Sequence, residues 1–142
     1  MSERGILDTN TVILLPRFAD AADLPDTPSI TSVTLAELSV GPLVAKTDLE
    51  RAARQAHLQQ AEADFEPLPF DAAAARAFGK VAADLRGAGR KTSARAYDAL
   101  IAAIAISRGL ALHTVNPGHF RGISNLELVE IPHPDRGSAT VG

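Results

Sequence analysis

The sequence predicts an α/β fold, a three-layer α/β/α domain built on a short, mostly parallel sheet. Three observations predict it. Brief apolar runs bounded by turn residues alternate with longer segments of helical periodicity, the pattern of strand–helix–strand crossover units. The 142 residues suffice for one domain with a sizeable core, and no internal repeat marks a second domain. Hydrophobic residues at 46% and charged residues at 22% are ordinary for a globular protein, so apolar contact can supply that core.

In chain order, RGILD reads as a strand ending at Asp8. NTVILLPRFAD carries apolar residues at helical spacing, with Pro16 breaking or bending it. The Pro-rich LPDTPSITS enters a second strand near residues 29–32. Thr34 or Ser32 caps the helix TLAELSVGPLVA, which Gly41-Pro42 bends or ends. TDLERAARQAHLQQAEADF is an amphipathic helix with Thr47 as N-cap and an inner stripe of Leu49, Ala52, Ala53, Ala56 and Ala63. After the extended EPLPF, Asp71 starts a helix that Gly87 and Gly89 terminate. SARAYDALIAAIAISRG is a helix apolar nearly all round, capped by Ser93 and ended by Gly109, and it demands cover on most sides. LALHT is a strand, VNPGHF a turn and LELVEI a last alternating strand. Residues 1–132 form the domain, and the polar, Gly-rich tail 133–142 is expected to be disordered.

Several function classes are disfavoured by composition. The absence of cysteine removes disulfides, thiolate metal sites and thiol catalysis together, and fits a reducing, cytoplasmic setting. The start MSERG lacks the basic and apolar runs of a signal peptide, and the apolar run ALIAAIAI is too short to span a bilayer. A net charge of −3 argues against a general polyanion binder. Local charge differs: RGAGRKTSAR places Arg86, Arg90, Lys91 and Arg95 together with no acidic residue. That segment is either a solvated loop or a patch for phosphates.

Three carboxylates stand where solubility alone would not put them. Right-handed crossovers bring the C-terminal ends of parallel strands to one edge, where such sheets bind ligands. Asp8 ends the first strand there, Glu37 lies one turn into the next helix, and Asp98 opens the most apolar helix. Singly, each has a plain explanation. Asp8 could accept backbone N–H bonds in a turn, Glu37 could face solvent, and Asp98 could favour a helix dipole. Jointly they would repel unless a cation neutralised them, and an all-oxygen set suits Mg²⁺ or Mn²⁺. Thr9, Asn10, Thr114 and Asn116, at the same strand ends, could orient those carboxylates or simply make turns. His57 and His113 have no metal-site spacing, and His113 is expected to pack in the core or at an edge.

The ordered set LDTN, SVTLAELSVG, DALIAAIAISRGLAL and TVNPGHF resembles PIN-domain ribonucleases, above all the small VapC-type toxins of bacterial toxin–antitoxin pairs. The likeness runs over residues 4–131. It implies a PIN-like fold and a Mg²⁺- or Mn²⁺-dependent endoribonuclease, a homodimer inhibited by a cognate antitoxin. It also implies that Asp8, Glu37 and Asp98 are the catalytic metal ligands. One position departs: His119 stands where the family often carries a fourth acid. It could be a neutral ligand or water-orienting base, could touch RNA phosphate, or could be a bystander to three acids plus Asn116. That departure keeps open a scaffold that binds RNA or protein without cutting, and a DNA-directed nuclease also stays open. A phosphoacceptor signalling domain shares the strand-end Asp, but its pattern needs a Lys after the last strand, and none follows Lys91.

Overall fold

The computed structural model describes residues 3–18, 21–91 and 95–135. Its strands are β1 (Arg4–Leu7), β2 (Thr27–Ser29), β3 (Ala111–Thr114) and β4 (Leu128–Glu130). Its α-helices are α1 (Thr9–Leu14), α2 (Ser32–Leu43), α3 (Asp48–Asp64), α4 (Ala72–Gly87) and α5 (Ala96–Arg108). The strands form one sheet in the order β2-β1-β3-β4, and all pairs are parallel rather than most of them. Among the described residues no helix is long and apolar enough to cross a membrane.

Alternation along the short strands creates the layers. Ile6 and Leu112 face one side, where they pack with Val33, Ala74, Ile101, Ile104 and Phe120. Leu7 faces the other, with Val12, Ile30, Leu38, Ala61 and Val115. The apolar circumference of α5 is covered as expected, because Ala99 and Ala103 meet Val81 and Leu85 of α4 while Ile101 and Ala105 lie in the sheet-side cluster. Gly109 ends α5 in the left-handed region (φ 65°), which suits the residue without Cβ. Thr47 and Asp71 cap α3 and α4 through side-chain oxygens on Glu50 N and Ala74 N.

Gly5 has a different reason to be glycine. It pairs with Ala111 across the β1–β3 ladder, and a Cβ there would lie 2.4 Å from the ring of His113. His113 is buried, and neither of its ring nitrogens has a hydrogen-bond partner among the described residues.

Three sequence expectations need correction. The second strand is Thr27–Ser29, because the Thr31 side chain is used to cap α2 by accepting from Thr34 N at 3.2 Å. Thr31, not Ser32 or Thr34, is therefore the cap. Pro28 is tolerated because β2 is an edge strand. Helix α2 ends at Leu43, one residue past Gly41-Pro42, in line with the expected stop. The stripe of Leu49, Ala52, Ala53, Ala56 and Ala63 faces outward, with Leu49 83% exposed, while α3 docks through Leu58, Ala61 and the following Phe65. The expected Ser93 cap lies outside the described residues. So does the tail beyond residue 135, although Asp135 itself pairs with Arg17.

Candidate active site

Asp8 leaves β1 as the N-cap of α1 and is 2% exposed. Oδ1 accepts the Thr11 amide at 3.3 Å and the Thr11 hydroxyl, while Oδ2 accepts the Thr114 hydroxyl at 2.7 Å. Both threonines are held in turn from the end of β3. The Val115 amide donates to the Thr11 oxygen (3.2 Å), and the Asn116 amide donates to the Thr114 oxygen (2.9 Å). Burial pushes the Asp8 carboxyl above its ordinary value, and the three threonine bonds and the field of His119 pull only part of the way back.

Glu37 projects from α2 toward the same strand end. Thr9 donates to its Oε1 at 2.6 Å, and Thr9 and Thr34 hydroxyl oxygens lie 3.0 Å apart. A hydroxyl has one proton, so Thr34 donates to Thr9 and Thr9 to Glu37. Burial raises this carboxyl too, and the charges of Asp98 and Asp8 raise it further. Asp98 stands in the first turn of α5, raised chiefly by burial and also by Asp8, with His119, Arg95 and Arg90 acting against the shift. The His119 Nδ1 lies 3.4 Å from Asp98 Oδ2.

These side chains share one electrostatic neighbourhood. A cleft of about 460 Å³ is lined by Thr9, Asn10, Glu37, Arg95, Asp98 and His119, while Asp8, next to Thr9 in the chain, is buried and does not line it. Among the described residues no Arg or Lys forms a salt bridge with Asp8, Glu37 or Asp98; the charge of Asp8 raises both Glu37 and Asp98, and Asp98 raises Glu37 as well. Clustered carboxylates that no lysine or arginine salt bridge neutralises suit a hard divalent ion, and the oxygen-rich donor set agrees. The side chains are not already drawn into a cage, for no group of three or more acids or histidines among the described residues is spaced to hold one ion. Each carboxylate is tied instead to threonine or histidine.

The remaining sequence candidates divide. Thr9 and Thr114 touch carboxylates; Asn10 lines the cleft; Asn116 contributes its backbone amide. Of the basic segment, Arg95 lines the cleft, and Arg90 clamps the turn at residues 117–121 by donating to the carbonyls of Arg121 and His119. Arg86, Arg90 and Lys91 line a separate surface groove, apart from the cleft that Arg95 lines. Sequence reasoning missed Thr11 and Thr34. Both had a signal: Thr11 is three residues after a strand-end Asp, and Thr34 is three before Glu37 on the same helical face.

A parallel α/β domain that gathers one buried carboxylate, Asp8, and two half-buried ones, Glu37 and Asp98, at the carboxyl edge of its sheet has the form of a nuclease domain. The chain belongs to the PIN-domain family, whose model matches residues 6–124. It is 39% identical over 131 residues to the ribonuclease VapC5 of Mycobacterium tuberculosis, covering 89% of this chain and 95% of that one. The ribonuclease VapC8 of the same organism is 34% identical over 101 residues, covering 71% and 89%. Among solved structures, the fold matches VapBC-5 of M. tuberculosis, a member of the VapBC family of toxin–antitoxin systems. The TM-score is 0.76 and the identity 38%, over 90% of this chain and 98% of that one. DNA-bound VapBC of Salmonella typhimurium matches with a TM-score of 0.69 and 28% identity, over 92% and 98%.

Proposed function

We propose that this chain is a divalent-metal-dependent endoribonuclease, the toxin of a toxin–antitoxin pair, acting on RNA in the cytoplasm. The relatives named ribonuclease and the VapBC complexes support the reading. The observation that carries it is the cleft that Glu37 and Asp98 line together next to the buried Asp8, whose charge raises both, with no lysine or arginine salt bridge to any of the three among the described residues.

Asp8, Glu37 and Asp98 would hold Mg²⁺ or Mn²⁺. The ion, when bound, supplies Lewis-acid stabilisation of phosphate oxygens and makes bound water more acidic. The chain's own groups do the rest. Thr11 and Thr114 fix both Asp8 oxygens, and Thr34 through Thr9 fixes Glu37. Arg95 at the rim draws the RNA phosphate toward an otherwise acidic cleft. His119, beside Asp98, is placed to orient water or take a proton in the position where relatives often carry an acid. RNA cleavage is expected with Mg²⁺ and is abolished by EDTA and by Asp8→Asn. Metal-independent cleavage, or full activity of that variant, refutes the reading.

A second reading is favoured by the missing three-ligand cage and by His119, namely a PIN scaffold that binds without cutting. Calorimetric titration with Mn²⁺ separates them, because a scaffold takes up no stoichiometric ion. A cognate antitoxin would inhibit the chain, and failure of the neighbouring gene product to co-purify with it counts against that partner. Light scattering tests the homodimer expected from the family likeness.

A further inference from the structure

A second cleft of about 460 Å³ adjoins the first. Thr9, Asn10 and Glu37 line both, forming the partition between them. Beyond that partition the walls are mainly apolar, made by Ile13 of α1, Leu38 and Gly41 of α2 and Ala53 of α3. Two flat polar groups stand among them. Arg54 is fixed by bonds to Glu50 Oε1 (2.8 Å) and the Gly41 carbonyl (3.0 Å), so its charge is satisfied while its planar guanidinium remains in the wall. His57 is half-buried and makes no hydrogen bond among the described residues.

Such a cleft suits a neutral, flat, amphipathic ligand. Its volume lies in the range of small-ligand sites, roughly 300–1,000 Å³. A phosphate does not fit its chemistry, because Glu37 and Glu50 are acidic and Arg54 is already paired. A nucleobase does, since unpaired RNA bases are recognised by stacking on histidine or arginine planes and by hydrogen bonds to their edges. Asn10 at the partition offers both a donor and an acceptor to a base edge.

We infer that this cleft binds one unstacked nucleobase of the RNA, adjacent to the phosphate held in the acidic cleft, and so sets base preference at that position. The inference rests on the ribonuclease reading for its substrate class. It makes His57, Arg54 and Asn10 specificity-determining residues, although none of the three carries the chemistry.

The test is amide NMR titration of the full chain, without added metal, using each of the four nucleoside 5′-monophosphates and ribose 5-phosphate as the baseless control. Expected are saturable shifts at Ile13, Gly41, Ala53 and His57 that differ among the bases and are absent with ribose 5-phosphate. His57→Ala weakens the best nucleotide by about fivefold or more, the effect of removing one stacking surface. Ala53→Leu, on an outward helix face, blocks the cleft, and its own spectrum reports whether it folds. Equal shifts with ribose 5-phosphate, or none with any nucleotide, overturn the inference. If a co-expressed inhibitor protein alone protects these amides, the cleft belongs to a protein partner and the inference likewise falls. RNA cleavage by the same preparations is read separately. Base-dependent shifts without cleavage remove the nuclease reading and leave a nucleotide site, whereas cleavage without shifts does the reverse.

Discussion

Gly5→Ala in β1 places a methyl carbon where the fold has no room. The new Cβ would lie 2.4 Å from both Cδ2 and Nε2 of His113 and 3.2 Å from Cβ of Pro25. Favourable carbon contacts lie near about 3.5–4.0 Å, so the imidazole must retreat by roughly 1 Å or more. It is 2% exposed and sits on the strand paired with β1, which leaves it little space. Overpacking costs about 1–3 kcal/mol, and occasionally more, in a well-packed interior. Two ring atoms at such close approach place this case at the upper end. Alanine recovers roughly 0.5–1 kcal/mol of backbone entropy relative to glycine in a strand. The net loss is about 2 kcal/mol, which lowers Tm by roughly 4–8 °C in a chain of this size. Urea and thermal denaturation of the parent, Gly5→Ala, His113→Ala and the double variant form the assay. His113→Ala removes both the obstruction and two unpartnered buried nitrogens, so the double variant should recover most of the loss, with a coupling of at least about 1 kcal/mol. Unchanged stability in Gly5→Ala, or strictly additive losses in the double variant, refutes the steric argument.

Other expectations are as specific. Burial holds the His113 imidazole below its ordinary value, so as pH falls the unfolded chain takes up the proton first. The stability difference between the parent and His113→Leu should therefore be flat above about pH 6.5 and shift against the parent below it; a flat difference down to acid pH would show that the folded state accommodates the charge. Thr114→Val deletes the hydroxyl that donates to Asp8 and receives the Asn116 amide. It should weaken Mn²⁺ binding about 10–100-fold by calorimetry, and unchanged affinity would show that Thr114 does not position Asp8. Arg95→Ala should weaken RNA binding and reduce the salt slope by about one, while Lys91→Ala, in a groove apart from the cleft, should leave the slope nearer the parent value. Equal slopes for both variants would contradict that division.

The sequence carried most of the fold because its punctuation is local. Thr47, Asp71 and Gly109 mark helix ends through their own side chains or lack of one, and no distant partner is needed to read them. The cap of α2 is different. In TSVT the choice among Thr31, Ser32 and Thr34 is settled by the bridge between Thr31 and Leu68, a contact made across the sequence. Alanine misled in α3, since a small side chain carries little burial energy and Leu58, Ala61 and Phe65 decide which face docks. The strand-end position of Asp8 and its company with Glu37 and Asp98 were legible from topology. The threonine relays were not, because a hydroxyl's role depends on which oxygen it meets after folding. Arg90 illustrates the same limit: its bonds to the carbonyls of Arg121 and His119 could not be read from its charge alone.

Asp8 does two jobs with one pair of oxygens. Oδ1 satisfies the otherwise unpaired Thr11 amide at the start of α1, a helix of only six residues with little else to nucleate it. Any guest that claims this oxygen takes it from the chain's own first turn. Loading of the centre would thus be written into the exchange rate of a single backbone proton, at Thr11, and a probe there reads occupancy without touching the cleft.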